Sequence, residues 1–223
     1  MITITTENLF LLLKNNLPEN PIIVEAGAFN GCHTKKLSSW WPNATIHAFE
    51  PVPAIFNELR TTTALYPHIH CYNSGLSTTT GKACFYVAHN PKKPNKICSA
   101  GSLLKPKDRL LKSPIIYPST IIVDTITLDQ WAQAHAVTHI DFLWLDIQGH
   151  ELATLQASPN IFSTITLIYL EINFIEAYEG QESYETTQKW FIEQGFEPIA
   201  QDFDQTHTWF FGNILYKRRS NSN

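Results

Sequence analysis

Glu25, Gly27 and Gly31 close an apolar run in the stretch IIVEAGAFNG, with Ala28 and Asn30 between the two glycines. A strand that ends in a carboxylate and runs into a glycine turn can hold a ligand by its backbone. Gly27 lets the chain turn sharply and approach the ligand closely, and Gly31 lets the next helix start without a Cβ in the way. The Gly27-x-x-x-Gly31 spacing lacks the third glycine of the G-x-G-x-x-G dinucleotide fingerprint. A carboxylate beside such a turn suits a positively charged ligand. A second apolar run ends in Glu50, followed by Pro51. A carboxylate there can accept both hydroxyls of a ribose as a bidentate pair. The third run ends in CYNSGLS, which sets Asn73, Ser74 and Gly75 to face a base, although NSG is also a good turn.

Two more carboxylates follow the same pattern. Asp146 ends the run FLWL, and Glu171 ends TLIYL with Asn173 two residues beyond. Both open into one crevice if their strands are parallel neighbours. Taking a proton from a hydroxyl needs a base, or a metal to acidify it. Asp146 and Glu171 are the candidates, with His150 as a third, although a lone histidine is more often a surface residue. Asp146, Glu171 and Asn173 could also hold a divalent cation; this is the less favoured reading, and no histidine pair has metal-ligand spacing. The alternatives are structural: Asp146 as a cap, and Glu151 as an acid at a helix N-terminus.

Positioning these groups requires an alternating architecture. Strands are expected at Ile22–Glu25, Thr45–Phe49, Ile69–Tyr72, Ala83–Val87, Ser119–Thr125, Phe142–Leu145, Thr166–Glu171, Phe196–Gln201 and Phe210–Tyr216. Helices are expected at Glu7–Asn15, His33–Trp40, Pro53–Thr62, Leu128–Gln133, His150–Gln156 and Tyr184–Gln194. Short apolar strands alternating with helices imply an α/β, doubly wound, mostly parallel seven-stranded sheet with helices on both faces. An inserted antiparallel strand and a basic loop interrupt it. Ligands in such folds lie outside the carboxyl ends of the strands.

The 223 residues make one domain, 43% apolar and 16% charged, with net charge −4. Nothing in that balance points to nucleic acid or a membrane surface, and the absence of a signal-peptide pattern and of cysteine pairs suggests a cytoplasmic protein. The four cysteines are expected to be reduced and mostly core filler. Residues 88–118 break the rhythm: they hold seven of the sixteen basic residues and one acid, Asp108, leaving the remainder near −10. This is either a solvated surface loop or a basic lid over an anionic substrate. Trp40, Trp41 and the Trp209-Phe210-Phe211 run are core aromatics by default, with a stacking platform as the alternative. Asp202, Asp204 and His207 are assigned to an ordinary turn.

The Glu25 turn matches the cofactor loop of class I methyltransferases, which bind S-adenosylmethionine (SAM). IIVEAGAFNG, HAFEPVPAIFNEL, TITLDQW, LDIQGHE and LIYLEIN in that order resemble the FkbM family of SAM-dependent methyltransferases. One position departs from the family's pattern, with Gln148 in place of a glutamate. The resemblance implies SAM bound by Glu25, Gly27, Ala28, Asn30, Gly31, Glu50, Pro51, Asn73, Ser74, Gly75 and Asp146. It also implies O-methylation of a small-molecule acceptor such as a sugar or natural-product hydroxyl, anionic or nucleotide-linked if the basic lid is real. A nicotinamide-dependent oxidoreductase and a non-catalytic relative remain as alternatives.

Overall fold

A computed structural model describes residues 2–204, 206 and 209–219. In chain order its elements are β1 (Ile2–Thr3), α1 (Thr6–Lys14), β2 (Ile22–Ala26), α2 (Cys32–Trp40), β3 (Thr45–Phe49), α3 (Pro53–Thr63), β4 (Ile69–Tyr72), β5 (Gly75–Leu76), β6 (Gly81–Asn90) and β7 (Lys93–Ile97). They continue with α4 (Arg109–Lys112), β8 (Ile116–Ile126), α5 (Leu128–Ala134), β9 (Phe142–Leu145), α6 (Glu151–Gln156), α7 (Pro159–Phe162), β10 (Leu167–Asn173), α8 (Tyr184–Glu193), β11 (Phe196–Gln201) and β12 (Phe211–Arg218).

The central strands are apolar on both sides because both faces are covered. Ile23, Ile46, Phe142 and Trp144 face α1 and α2 and pack with Leu9, Phe10, Leu37 and Trp41. Their neighbours Val24, Leu143 and Leu145 point the other way, toward Leu128 and Trp131 of α5, Phe162 of α7 and Phe191 of α8. Trp41 is fully buried, so the tryptophan pair belongs to the core, whereas Trp209 is 65% exposed.

The main sheet is mixed and has eight strands in the order β1-β11-β12-β10-β9-β2-β3-β4. The expected count was seven; β1 is the addition, pairing in parallel with β11 through Ile2 and Thr3. Only β12 runs antiparallel to its neighbours, β10 and β11. Strand order reverses between β2 and β9, and the register there decides where the chemistry lies. Ala26 pairs with Phe49 on one side and Leu145 on the other, and Leu145 pairs with Leu170. Gly27, Glu50, Asp146 and Glu171 each follow by one residue, so all four stand in a row along the carboxyl edge.

A second, four-stranded sheet, β5-β8-β6-β7, lies between β4 and β9 in the chain. It corrects the reading of residues 88–118 as one long loop. β6 runs on to Asn90 and forms a hairpin with β7, α4 is a short helix, and β8 begins at Ile116. The basic residues are also less free than a lid requires. Lys105 pairs with Glu179 at 2.6 Å, Lys107 pairs with Glu176, and Arg109 is buried.

All four cysteines are free thiols, but Cys32 and Cys84 are exposed rather than core. Asp202 accepts hydrogen bonds from the Asn213 backbone and side chain, and Asp204 accepts from Thr206, as turn residues do. His207 lies outside the described residues. Among the described residues no helix is long and apolar enough to cross a membrane.

Candidate active site

At the strand-order reversal, a cleft of about 590 Å³ opens between the carboxyl edge of the main sheet and the second sheet. Gly27, Glu50, Pro51 and Asp146 form its floor. Val52, Leu76, Phe85 and Leu103 give it apolar walls, and Ile97 and Cys98 come from the inserted hairpin and the residue after it. Gly27 has φ +84°, and a Cβ there would stand 1.9 Å from the Asp146 carbonyl oxygen. Only glycine lets the two strand ends come so close.

Glu50 is 5% exposed and structurally engaged. Its Oε1 accepts from the Val52 N–H at 2.8 Å and its Oε2 from the Phe29 N–H at 3.1 Å. Burial pushes its pKa up to about 7, against the pull of those two bonds. Each oxygen keeps a lone pair for a hydroxyl donor. Glu25 is buried beneath the turn and accepts from Thr34 Oγ1 at 2.5 Å. Burial raises its pKa to about 8, the Thr34 bond lowers it, and the neighbouring Asp146 adds to the rise. A buried carboxylate of this kind gains most from a cation placed over it.

Behind the cleft, Asp146 and Glu171 stand side by side with Gln148 between them. Gln148 Nε2 donates to Asp146 Oδ1 at 2.6 Å and to both Glu171 oxygens at 3.2 Å. Gln148 Oε1 accepts from the Tyr178 hydroxyl at 2.7 Å, which fixes the amide's orientation. Burial, then the Asp146 charge, hold the Glu171 pKa well above the ordinary range, and burial raises Asp146 as well. Asp146 Oδ2 has no hydrogen-bond partner among the described residues, and its residue lines the cleft. Arg109, 8% exposed, lies against the rings of Tyr178 and Phe210 with Nε and Nη1 unpartnered, and its charge favours ionised Asp146 and Glu171.

The expected site residues divide. Gly27, Glu50, Pro51, Ser74, Gly75 and Asp146 line the cleft. Glu25 lies just beneath it. The others hold the site together. Ala28 is buried against Ala48 and Leu59. Asn30 Oδ1 accepts from the Cys32 N–H, and the Asn73 amide donates to the Glu50 and Pro51 carbonyls rather than facing a base. Gly31 caps α2 at φ +82°, and its missing Cβ makes room for Leu59 and Thr62 of α3, not for a ligand. Glu171 stands behind Gln148 and lines a separate recess with Asn173. His150 is not at the cleft; it pairs with Ser77 Oγ at 3.3 Å and caps α6. Glu151 accepts from the Ile147 and Gly149 N–H groups, an anchor for the turn.

Sequence reasoning missed His33, Arg109 and Tyr178. His33 stacks on Trp144 at 4.9 Å; burial lowers its pKa and the Asp146 charge raises it. Its place one residue into α2, directly after the glycine turn, was the available signal. Tyr178 comes from the segment after β10, and Arg109 is set against it by α4, whose start hydrogen-bonds to the Glu176 and Ala177 carbonyls; no local pattern marks either.

A sheet of this order, with an acid–glycine turn at its reversal point and a ribose-type carboxylate on the next strand, defines the class I methyltransferase fold. The chain belongs to the FkbM methyltransferase family: residues 25–198 match the Methyltransferase FkbM domain. It is a SAM-dependent methyltransferase, which sets aside the nicotinamide alternative. It is similar to 2-O-methyltransferase NoeI of Sinorhizobium fredii, 24% identical over 163 residues, covering 73% of this chain and 67% of that protein. It is also similar to hexuronic acid methyltransferase AglP of Haloferax volcanii, 22% identical over 168 residues, covering 75% of this chain and 62% of that one. Among solved structures, magnesium protoporphyrin IX methyltransferase of Synechocystis with bound SAM aligns at TM-score 0.54 and 12% identity, over 96% of this chain and 77% of that chain. Fibrillarin of Aeropyrum pernix with natively bound SAM aligns at TM-score 0.54 and 14% identity, over 94% and 74%. At such identities these two share the fold.

The residues present fit SAM. The apolar walls suit an adenine, Glu50 keeps lone pairs for ribose hydroxyls, and Glu25 with Asp146 offers negative charge for the ammonium and sulfonium.

Proposed function

We propose that the chain methylates a hydroxyl of a sugar or a similar small molecule, and that Asp146 takes the hydroxyl proton. When bound, SAM supplies an electrophilic methyl and leaves as a neutral thioether. Asp146 Oδ2 would accept the acceptor hydroxyl's proton, leaving its oxygen free to take the methyl that the bound cofactor would give up from sulfur. Gly27 and Glu50 hold the cofactor end still, which supplies alignment, the main requirement of methyl transfer. The second sheet roofs the cleft and keeps water from competing for the methyl.

One observation carries this reading: Asp146 lines the cleft with one oxygen tied back by Gln148 and the other unpartnered. The activities for which the two relatives are named, 2-O-methylation and methylation of a hexuronic acid, support a sugar acceptor. Lys92, Lys93 and Lys96 on the inserted hairpin are exposed, with no ion pair among the described residues, which favours an anionic or nucleotide-linked acceptor. The activities of the two relatives support a small-molecule partner.

The test is a methyl-transfer screen over neutral sugars, uronic acids and nucleotide sugars, on wild type and Asp146→Asn. The variant should lose about 10²–10⁴-fold in kcat, as loss of a general base does. Its affinity for S-adenosylhomocysteine (SAH), which keeps the ammonium but not the sulfonium that Asp146 faces, should fall by far less than kcat does. Undiminished turnover in the variant would remove Asp146 from the role.

A further inference from the structure

We propose that the Gln148 carboxamide is a built-in substitute for a divalent cation: it bridges Asp146 and Glu171 as a metal would, so the site works without one. The inference rests on the methyl-transfer reading for the role of Asp146, but not for its test.

Two carboxylates stand on adjacent parallel strands in register, one residue beyond the Leu145–Leu170 pair. Ordinary neighbours in this position repel, and buried ones repel strongly. Something positive has to lie between them. Among the described residues the group that does so is Gln148 Nε2, at 2.6 Å from one carboxylate and 3.2 Å from both oxygens of the other. An amide nitrogen carries two hydrogens, one for each carboxylate. Its identity as nitrogen is set chemically, since carboxylate oxygens of Asp146 and Glu171 surround it and need a donor, while the amide oxygen faces the Tyr178 hydroxyl.

The backbone is bent to bring the amide there. Gln148 has φ +57°, a conformation a side-chain-bearing residue seldom adopts. The main chain is pinned in that bend by Ser102 Oγ, which donates to the Gln148 carbonyl at 2.7 Å. An uncommon backbone conformation held by a hydrogen bond from the segment between β7 and α4 points to a position set by function.

Among the described residues no group of three or more acidic, histidine or cysteine side chains is placed to hold a cation as the chain stands. Asn173 Oδ1 is buried without a hydrogen-bond partner, two residues beyond Glu171. Asp146, Glu171 and this amide oxygen would give a cation three oxygen donors, and a carboxylate at 148 would give a fourth. The amide at 148 removes that donor and occupies the space. Around the pair, Glu25 on β2 and Glu151 on α6 are buried acids whose pKa values burial raises, burial lowers the pKa of His33 on α2, and Arg109 on α4 is the cation whose charge favours the ionised carboxylates.

The experiment measures Mn²⁺ binding to the full chain by calorimetry and by Mn²⁺-dependent thermal shift, with SAH binding alongside. Variants are Gln148→Glu, which restores a fourth oxygen, and Gln148→Ala, which vacates the space. Wild type should bind no Mn²⁺ below the millimolar range, and EDTA should leave its SAH affinity unchanged. Gln148→Glu should bind Mn²⁺ at least about tenfold more tightly than wild type and be stabilised by it. If that variant does not fold, Gln148→Ala should show the same stabilisation to a smaller extent. Micromolar Mn²⁺ binding by wild type, abolished in Asp146→Asn, would overturn the inference. So would folded variants that gain no Mn²⁺ affinity. SAH binding lost in every protein would instead count against the cofactor assignment, and it leaves the Mn²⁺ readout to decide the role of Gln148.

Discussion

Replacing Glu50 with glutamine separates cofactor recognition from the structural work of the same side chain. At pH 8 the wild-type carboxyl is ionised, because its pKa stands near 7. It accepts the Val52 and Phe29 N–H groups and has lone pairs left for two ribose hydroxyls. Hydrogen bonds to a charged group contribute about 1.5–3 kcal/mol each, against about 0.5–1.5 for neutral ones. The amide has one acceptor oxygen and no charge, so the loss on binding is about 2–3 kcal/mol, or roughly 30–150-fold in Kd. On stability two effects oppose. One backbone N–H loses its acceptor, costing about 1–3 kcal/mol. Against that, a buried charge is removed, and a carboxyl shifted from 4.5 to about 7 carries a penalty of similar size at pH 8. The melting temperature at pH 8 should therefore move by only a few degrees while SAH affinity collapses. Calorimetry across pH gives a further check. Wild-type affinity should fall as pH drops through about 7 and Glu50 takes up a proton, and the variant should lack that component. SAH affinity within threefold of wild type at pH 8 would refute the reasoning.

Two other outcomes follow from the same geometry. Gly27→Ala places a Cβ inside contact distance of the Asp146 carbonyl and strains a φ of +84°; it should cost about 3 kcal/mol or more and abolish SAH binding, measured by denaturant unfolding and calorimetry. The free protein should lose stability as pH rises. Glu25 and Glu151 have pKa values of about 8 and Glu50 of about 7, all above the ordinary 4.5, so the folded state binds more protons than the unfolded one between pH 4.5 and 8. Their contribution is complete below about pH 4.5 and lost through 7–8, so the melting temperature should fall across that window; a rise would contradict the burial argument.

The central strands were legible because burial on both faces writes itself as unbroken apolar runs, and the strand-end acids were legible because their register follows from those runs. β1 and β5 are two residues each, and α4 and α7 are four, too short for any periodicity to show. β7 reads KPNKI, a proline and two lysines where a strand should be apolar, because hairpin pairing with β6 rather than burial makes it a strand. In the site, spacing exposed Glu25, Gly27 and Glu50. It misassigned Gly31 and Asn73, whose partners are α3 and the Glu50–Pro51 backbone. The bridging role of Gln148 depends on a positive φ and on contacts from Ser102 and Tyr178, thirty and more residues away. No local pattern encodes that.

The pairing of β5 with β8 joins Gly75 to Thr125 and Leu76 to Ile126, so the second sheet leaves and rejoins the main fold at one place. Geometrically it is a cassette, spliced into the chain by two short seams and resting over the cleft mouth. Beyond those seams it is fastened to the fold below by Ser102 on Gln148 and by Lys105 and Lys107 on Glu179 and Glu176. The roof and the floor of the cleft are thus written in separate stretches of the chain, 75–126 and the strand ends on either side of it.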